Sequence, residues 1–230
     1  MAAGANPDGA PVGRRVVLGL LGLGAVGVVT GSKVQAGLSN LLAPVQLRDP
    51  TGLTSLVPLG DTWRYYSVTG AVAPRDAASY VLKVSGLVDR PATYSLADLE
   101  ALPQKSFTDT FQCVTGWRVP DVPWTGVRLS DLLALAAPTS AAVGVRFGSF
   151  DGAYSVNMTL DQARADDVVV ALRMYGDPVT HDHGGPVRIY SGSMYGYKST
   201  TWLSAIEVTP DNRPGYWEDR GYPLDGLIGE

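Results

Sequence analysis

One cysteine, Cys113, in a chain of 230 residues means that the fold holds together without an intramolecular disulfide. Its stability must come from an apolar core, and the residues after about Leu56 are numerous enough to build one substantial domain. The same count leaves a free thiol to explain. A thiol that persists outside the cytoplasm is buried, bonded to a metal or chemically employed. Cys113 lies in the run Phe111-Gln112-Cys113-Val114-Thr115-Gly116-Trp117.

The amino terminus points out of the cytoplasm. Arg14-Arg15 precede an uncharged, glycine-rich stretch from Val16 to Thr30, the layout of a twin-arginine leader. That apolar run is shorter than the ~20 residues that span a bilayer comfortably. Val34-Gln35-Ala36 resembles the small-residue pattern of a leader-peptidase site. Residues 1–36 are expected to be a leader or an uncleaved membrane tether, residues 37–59 a linker, and residues 60–230 the folded domain. The net charge is −4 and the charges are scattered, so no basic field suits nucleic acid.

Beyond the linker, short strands alternate with short helices. Leu82 and Val84 alternate with Lys83 and Ser85 in a strand over 80–88, closed by Asp89-Arg90-Pro91. Ser95 caps a helix over 96–100, and Ser130 caps one over 131–135. Strands are expected over 106–114, with Cys113 at the end, and over 143–147, 153–158, 168–174, 187–190 and 202–208. A helix spans 160–165. The pattern is α+β, with mixed sheets and short helices and no regular βαβ array.

A second segment concentrates polar chemistry: His181-Asp182-His183-Gly184-Gly185-Pro186-Val187-Arg188, followed by Tyr195-Gly196-Tyr197-Lys198-Ser199-Thr200-Thr201-Trp202. Arginine offers a planar fork for phosphate, lysine a point charge, and glycines let backbone amides approach oxygens closely. Four other readings stand beside an anion site. Arg188 and Lys198 could be ordinary charges on a solvated strand edge, or the His-x-His pair could hold zinc. A cysteine hydrolase would pair Cys113 with His181 or His183 as base and Asp182 as orienter. A cofactor-free binding module would use none of this.

Together these segments resemble the molybdenum domain of the sulfite oxidase family. Phe111 to Trp117, Val122-Pro123-Trp124-Thr125-Gly126-Val127 with Leu132-Leu133, His183 to Arg188 and Gly196-Tyr197-Lys198-Ser199 stand in the order of that family's signature blocks. The resemblance runs from about Arg64 to Tyr222 and is strongest to bacterial members such as periplasmic methionine sulfoxide reductase catalytic subunits. It implies a sulfite oxidase-type fold binding one molybdopterin per molybdenum. Cys113 would ligate the metal, with the pterin dithiolene and oxo groups completing the sphere.

The same resemblance assigns cofactor contacts to His183, Arg188, Lys198, Ser199, Thr200 and Thr201, with Ser149 and the group Arg64, Tyr66 and Ser67 near further contacts. Twin-arginine export carries folded proteins, which suits a chain loaded with cofactor before it leaves. No haem-attachment motif is present, and the stretch after Val208 is too short for an immunoglobulin-like dimerisation domain. A membrane haem b protein, or another external redox partner, is the expected electron donor.

Departures from the family bear on the substrate. Leu172 stands where sulfite oxidases carry a tyrosine, and Trp117-Arg118 where they carry an arginine pair. Arg118 is then the one cation left at that place for a catalytic role. The expectation is reduction of an S-oxide or N-oxide, with oxidation of sulfite or another small anion as the alternative.

Overall fold

The computed structural model describes Trp63 and residues 67–70, 72–114 and 117–229; the leader, the linker, Arg64 and Tyr66 lie outside the described residues. The chain divides into two units, Met1–Gly60 and Asp61–Glu230, and every described residue belongs to the second. Two five-stranded sheets carry the fold. The first joins β1 (Val81–Gly86), β2 (Ala92–Ser95), β5 (Gly144–Ser149), β6 (Ser155–Thr159) and β10 (Leu203–Thr209) in the order β2-β1-β10-β5-β6. Its β1 and β10 run parallel, and its other pairs are antiparallel.

The second sheet is built around β7 (Val168–Met174). On one side β7 pairs with β4 (Arg118–Arg128), which pairs in turn with β3 (Gln104–Gln112). On the other side its two ends pair with β8 (Asp177–Pro178) and β9 (Arg188–Ser191). Sequence reasoning assigned no strand to 118–128, a stretch in which Pro120 and Pro123 are unfavourable to a central strand. The register removes the conflict. The ladder with β7 begins at Trp124, so Pro120 lies before it and Pro123 at its very end, where the Pro123 carbonyl still accepts the Tyr175 amide at 3.0 Å.

Three short α-helices lie among the described residues: α1 (Leu96–Ala101), α2 (Leu129–Ala136) and α3 (Leu160–Ala163). Ser95 and Asp98 form a reciprocal capping box at α1, and Thr159 and Gln162 form another at α3, each cap worth about 1 kcal/mol. The expected cap at Ser130 is not used. Helix α2 begins at Leu129, which lets Leu129, Leu132, Leu133 and Ala136 bury one face together. None of these helices is long and apolar enough to cross a membrane.

Two buried clusters flank β7. Val168, Val170 and Leu172 join residues of both sheets and α2 in the larger core, while Val169 and Ala171 join an aromatic layer with Phe111, Trp117, Trp124 and Tyr190. Being covered on both faces, β7 reads in sequence as a nearly continuous apolar run. Leu172 is core, 3% exposed, and does not line the cavity described below. The aromatic layer is the floor on which the polar chemistry is assembled.

Candidate cofactor and active site

Cys113 stands one residue past the end of β3, in the connection to β4. The turn is closed by the Cys113 amide donating to the Trp117 carbonyl at 2.7 Å, just beyond the Gln112–Arg118 register pair. This places the half-buried cysteine on the rim of a cavity of about 370 Å³, with Phe111 and Trp117 beside it. Phe111 packs against Trp63 and Trp117 at centroid distances of 4.7 and 5.3 Å, which fixes that wall by aromatic contact.

Period-two alternation in β9 sends Ile189 into the larger core and Arg188 with Tyr190 to the aromatic layer. Arg188 is 3% exposed. Its guanidinium donates to the carbonyls of His183 at 2.7 Å, Ser199 at 3.2 Å and Ile189 at 3.3 Å, and lies 5.4 Å from the Trp124 ring. It has no carboxylate partner in an ion pair among the described residues, and burial pulls its pKa down to about 10. It therefore remains a cation at neutral pH. A buried cation held by neutral carbonyls at a cavity wall is a site waiting for an anion.

The two glycine-containing loops bring backbone close around that cation. Gly184, at φ +89°, accepts a 2.6 Å hydrogen bond from the Trp202 amide, and a side chain there would collide with Thr201. Gly196 sits against the Phe111 ring, so any Cβ at that position would displace the aromatic wall. The Ser199 hydroxyl accepts from the Ser191 amide at 3.1 Å, tying its loop to β9. His183 Nδ1 shares a 3.0 Å hydrogen bond with the Thr180 hydroxyl. Burial, then the neighbouring Arg188, lowers the His183 pKa, with Asp182 opposing, so the imidazole is neutral at pH 7.

Of the residues singled out from sequence, Ser67, Cys113, His183, Arg188, Ser199 and Thr201 line this one cavity. Four do not. Arg118 is exposed on β4 and the neighbouring Trp117 takes the wall position, because alternation along the strand turns adjacent side chains apart. Ser149 is buried and accepts a hydrogen bond from the Asp151 amide at 3.2 Å; Asp151, two residues on, is the lining residue. Thr200 is fully buried off the cavity. Lys198 is fully buried too, with its ammonium 2.7 Å from Glu218 Oε1 and 2.8 Å from the Asn157 carbonyl.

Sequence reasoning missed the far wall, which comes from Asp151, Tyr154, Tyr216, Trp217 and Tyr222. Asp151 Oδ1 accepts from the amides of Ala153 and Tyr154 at 2.9 and 2.8 Å, while its buried Oδ2 has no partner among the described residues. The signal in the sequence was the density of aromatics after the last strand, Tyr216-Trp217 and Tyr222, in a stretch with no periodicity of its own.

The donor set fits a phosphate-bearing, metal-carrying cofactor. The cavity has the size of a small-cofactor pocket, with a buried cation and hydroxyls, a thiol, aromatic walls and an unpartnered acceptor at Asp151 Oδ2. No cluster of three His, Cys, Asp or Glu residues is placed to hold a metal ion among the described residues.

The model of the family described as "Oxidoreductase molybdopterin binding domain" matches residues 69–217. The uncharacterized oxidoreductase YuiH of Bacillus subtilis is 36% identical over 66% of this chain and 76% of its own length. The protein-methionine-sulfoxide reductase catalytic subunit MsrP of Xanthomonas campestris is 27% identical over 84% of this chain and 63% of its own. The sulfane dehydrogenase SoxCD from Paracoccus pantotrophus shares the fold, with a TM-score of 0.59 at 20% identity over 64% of this chain and 42% of that one. The chain thus spans less than two thirds of the MsrP subunit and less than half of the SoxCD chain.

Proposed function

This chain belongs to the oxidoreductase molybdopterin binding domain family, and from that premise we propose that it is an exported enzyme that reduces an S-oxide or N-oxide, taking electrons from a membrane haem b protein or another external donor. Cys113 is the protein's ligand to molybdenum, a soft thiolate suited to a metal that cycles between oxidation states. Arg188, Ser199 and Thr201 hold the pterin phosphate, with His183 beside them. The Asp151 carboxylate, two residues from the contact expected at Ser149, would be available to accept hydrogen bonds from the cofactor. The amino-terminal twin arginine and the relatedness to a methionine sulfoxide reductase subunit support export.

When bound, the cofactor supplies the two-electron oxygen-atom chemistry. In the overall reaction the S–O or N–O bond breaks, the sulfur or nitrogen keeps the two electrons supplied by the donor, and the oxygen takes two protons and leaves as water. The chain's own part is to bind, orient and set the field. His183, its pKa lowered by burial and Arg188, offers a polar ring nitrogen, and the aromatic walls exclude water from the pocket.

The observation that carries the choice of substrate is that Arg188 is the one Lys or Arg among the described residues lining the cavity. With that cation engaged by phosphate, and Asp151 and Asp182 also on the wall, the pocket has no described cation left for a dianion such as sulfite. Arg118, the cation on which sulfite oxidation would rely, is exposed and does not line this cavity, which supports an uncharged substrate. The hydrolase arrangement loses support as well, since Thr180 rather than Asp182 bonds His183 Nδ1.

The test is metal analysis of protein exported from a molybdopterin-competent host, beside Cys113→Ala, followed by turnover of dimethyl sulfoxide with a reduced viologen as donor and of sulfite with ferricyanide as acceptor. Near-stoichiometric molybdenum, sulfoxide reduction and loss of activity in the variant are expected. Well-folded native protein without molybdenum, or sulfite oxidised in preference to sulfoxide, overturns the reading.

A further inference from the structure

Lys198, placed in the anion site by sequence, is instead the anchor of the cavity's outer wall. Its ammonium joins three separate segments: Asn157 of β6, Glu218 in the turn after β10, and the Leu224 carbonyl beyond. Glu218 in turn accepts the Gly215 amide at 3.2 Å through its other oxygen. The pair is completely enclosed, with side-chain exposures of 0% and 2%. Between Gly215 and Glu218, which this hydrogen bond closes into a turn, the chain presents Tyr216 and Trp217 to the cavity, and Tyr222 follows.

That wall is preassembled. Trp217 and Tyr222 stack at 5.1 Å and 14°, and the Trp217 carbonyl accepts both the Arg220 and the Tyr222 amides. Tyr222 also meets Tyr197, whose hydroxyl donates to the Pro223 carbonyl at 2.6 Å. None of this segment belongs to either sheet. A rigid aromatic surface on a connecting segment, facing a cavity whose other walls carry thiol, cation and hydroxyls, is where ligand discrimination is built without disturbing the scaffold.

We propose that Trp217 and Tyr222 form a specificity wall for the uncharged aryl or bulky apolar substituent of the S-oxide or N-oxide substrate, and that Lys198, through Glu218, is the residue that positions this wall. The proposal rests on the oxygen-transfer reading above and adds the chemical class of the substrate. Aromatic contact favours such a substituent over a methyl group, and the carboxylates of Asp151 and Asp182 disfavour an anionic one.

The experiment compares native holoenzyme with Trp217→Leu, Tyr222→Leu and the double variant Lys198→Met/Glu218→Leu, which removes the buried pair without orphaning either charge. Two readouts are taken: kcat/KM for methyl phenyl sulfoxide against dimethyl sulfoxide with a reduced viologen, and the calorimetric Kd of methyl phenyl sulfone. Each variant is expected to lower the aryl-to-methyl selectivity about three- to tenfold, the value of one aromatic contact, and to weaken sulfone binding by a similar factor. In the double variant KM for the aryl substrate rises more than kcat falls, as a displaced wall requires.

An unchanged selectivity overturns the proposal, and so does loss of molybdenum in Trp217→Leu, which would assign that ring to the cofactor. If native enzyme reduces neither sulfoxide, the oxygen-transfer reading fails, and sulfone binding still decides the wall. Tighter binding by native protein than by Trp217→Leu sustains it; equal binding sinks it.

Discussion

Arg188 and Lys198 are two buried cations ten positions apart in sequence, and their surroundings differ in one respect. Lys198 has a carboxylate, Glu218, at 2.7 Å, whereas Arg188 has three backbone carbonyls and no ion-pair partner among the described residues. Burial lowers the pKa of both, but Glu218 works against it at Lys198 and no carboxylate does so at Arg188. A buried charge that is already neutralised belongs to the framework. One that is not is kept for a ligand, at a standing cost to the empty protein.

The largest expected effect tests the framework half of this contrast. Lys198→Met leaves Glu218 buried without its cation and should cost about 3–5 kcal/mol in chemical denaturation, with most of that regained in Lys198→Met/Glu218→Leu. A single variant as stable as native protein would show that the pair is not a clamp. Arg188→Lys should behave in the opposite way. Stability of the cofactor-free protein changes little, while molybdenum retained after gel filtration falls about tenfold, since one lost charge-assisted hydrogen bond is worth roughly 1.5 kcal/mol.

A comparable effect is expected from ligand addition. Inorganic phosphate or pyrophosphate at ten times its Kd should stabilise the cofactor-free native protein by about 1.4 kcal/mol, seen as a raised Tm, and should do less for Arg188→Lys. Equal shifts in both proteins would place the anion elsewhere. The smallest effect concerns pH. Because burial and Arg188 hold the His183 pKa below its ordinary 6.5, the unfolded chain binds that proton more readily than the folded one. Its contribution to stability is complete above the ordinary value and is lost as pH falls through 6.5 toward the folded pKa. His183→Asn should flatten that part of a denaturation series run from about pH 8 to pH 5.

Much of the fold was legible because its strands carry strong local signals. The run Val168–Met174 was read to the residue, since a strand buried on both faces leaves an unbroken apolar run bounded by turns. The strand Arg118–Arg128 was not, because prolines speak against a central strand and only the register with β3 and β7 shows where they are harmless. In the site, Cys113, His183, Arg188, Ser199 and Thr201 line one cavity. Arg118 and Lys198 do not reach it, since side-chain direction on a strand and the partner of a buried ammonium are set by distant residues.

By itself the sequence determined a disulfide-free α+β domain, its family, the thiol after β3 and the cation on β9, because these depend on residue type, local period and motif order. Only the tertiary structure decided which of two nearby cations is free for an anion. It also decided that the far wall is aromatic and built from the segment after the last strand. Glu218 neutralises Lys198 from 20 positions away, and no local pattern encodes a contact made through space.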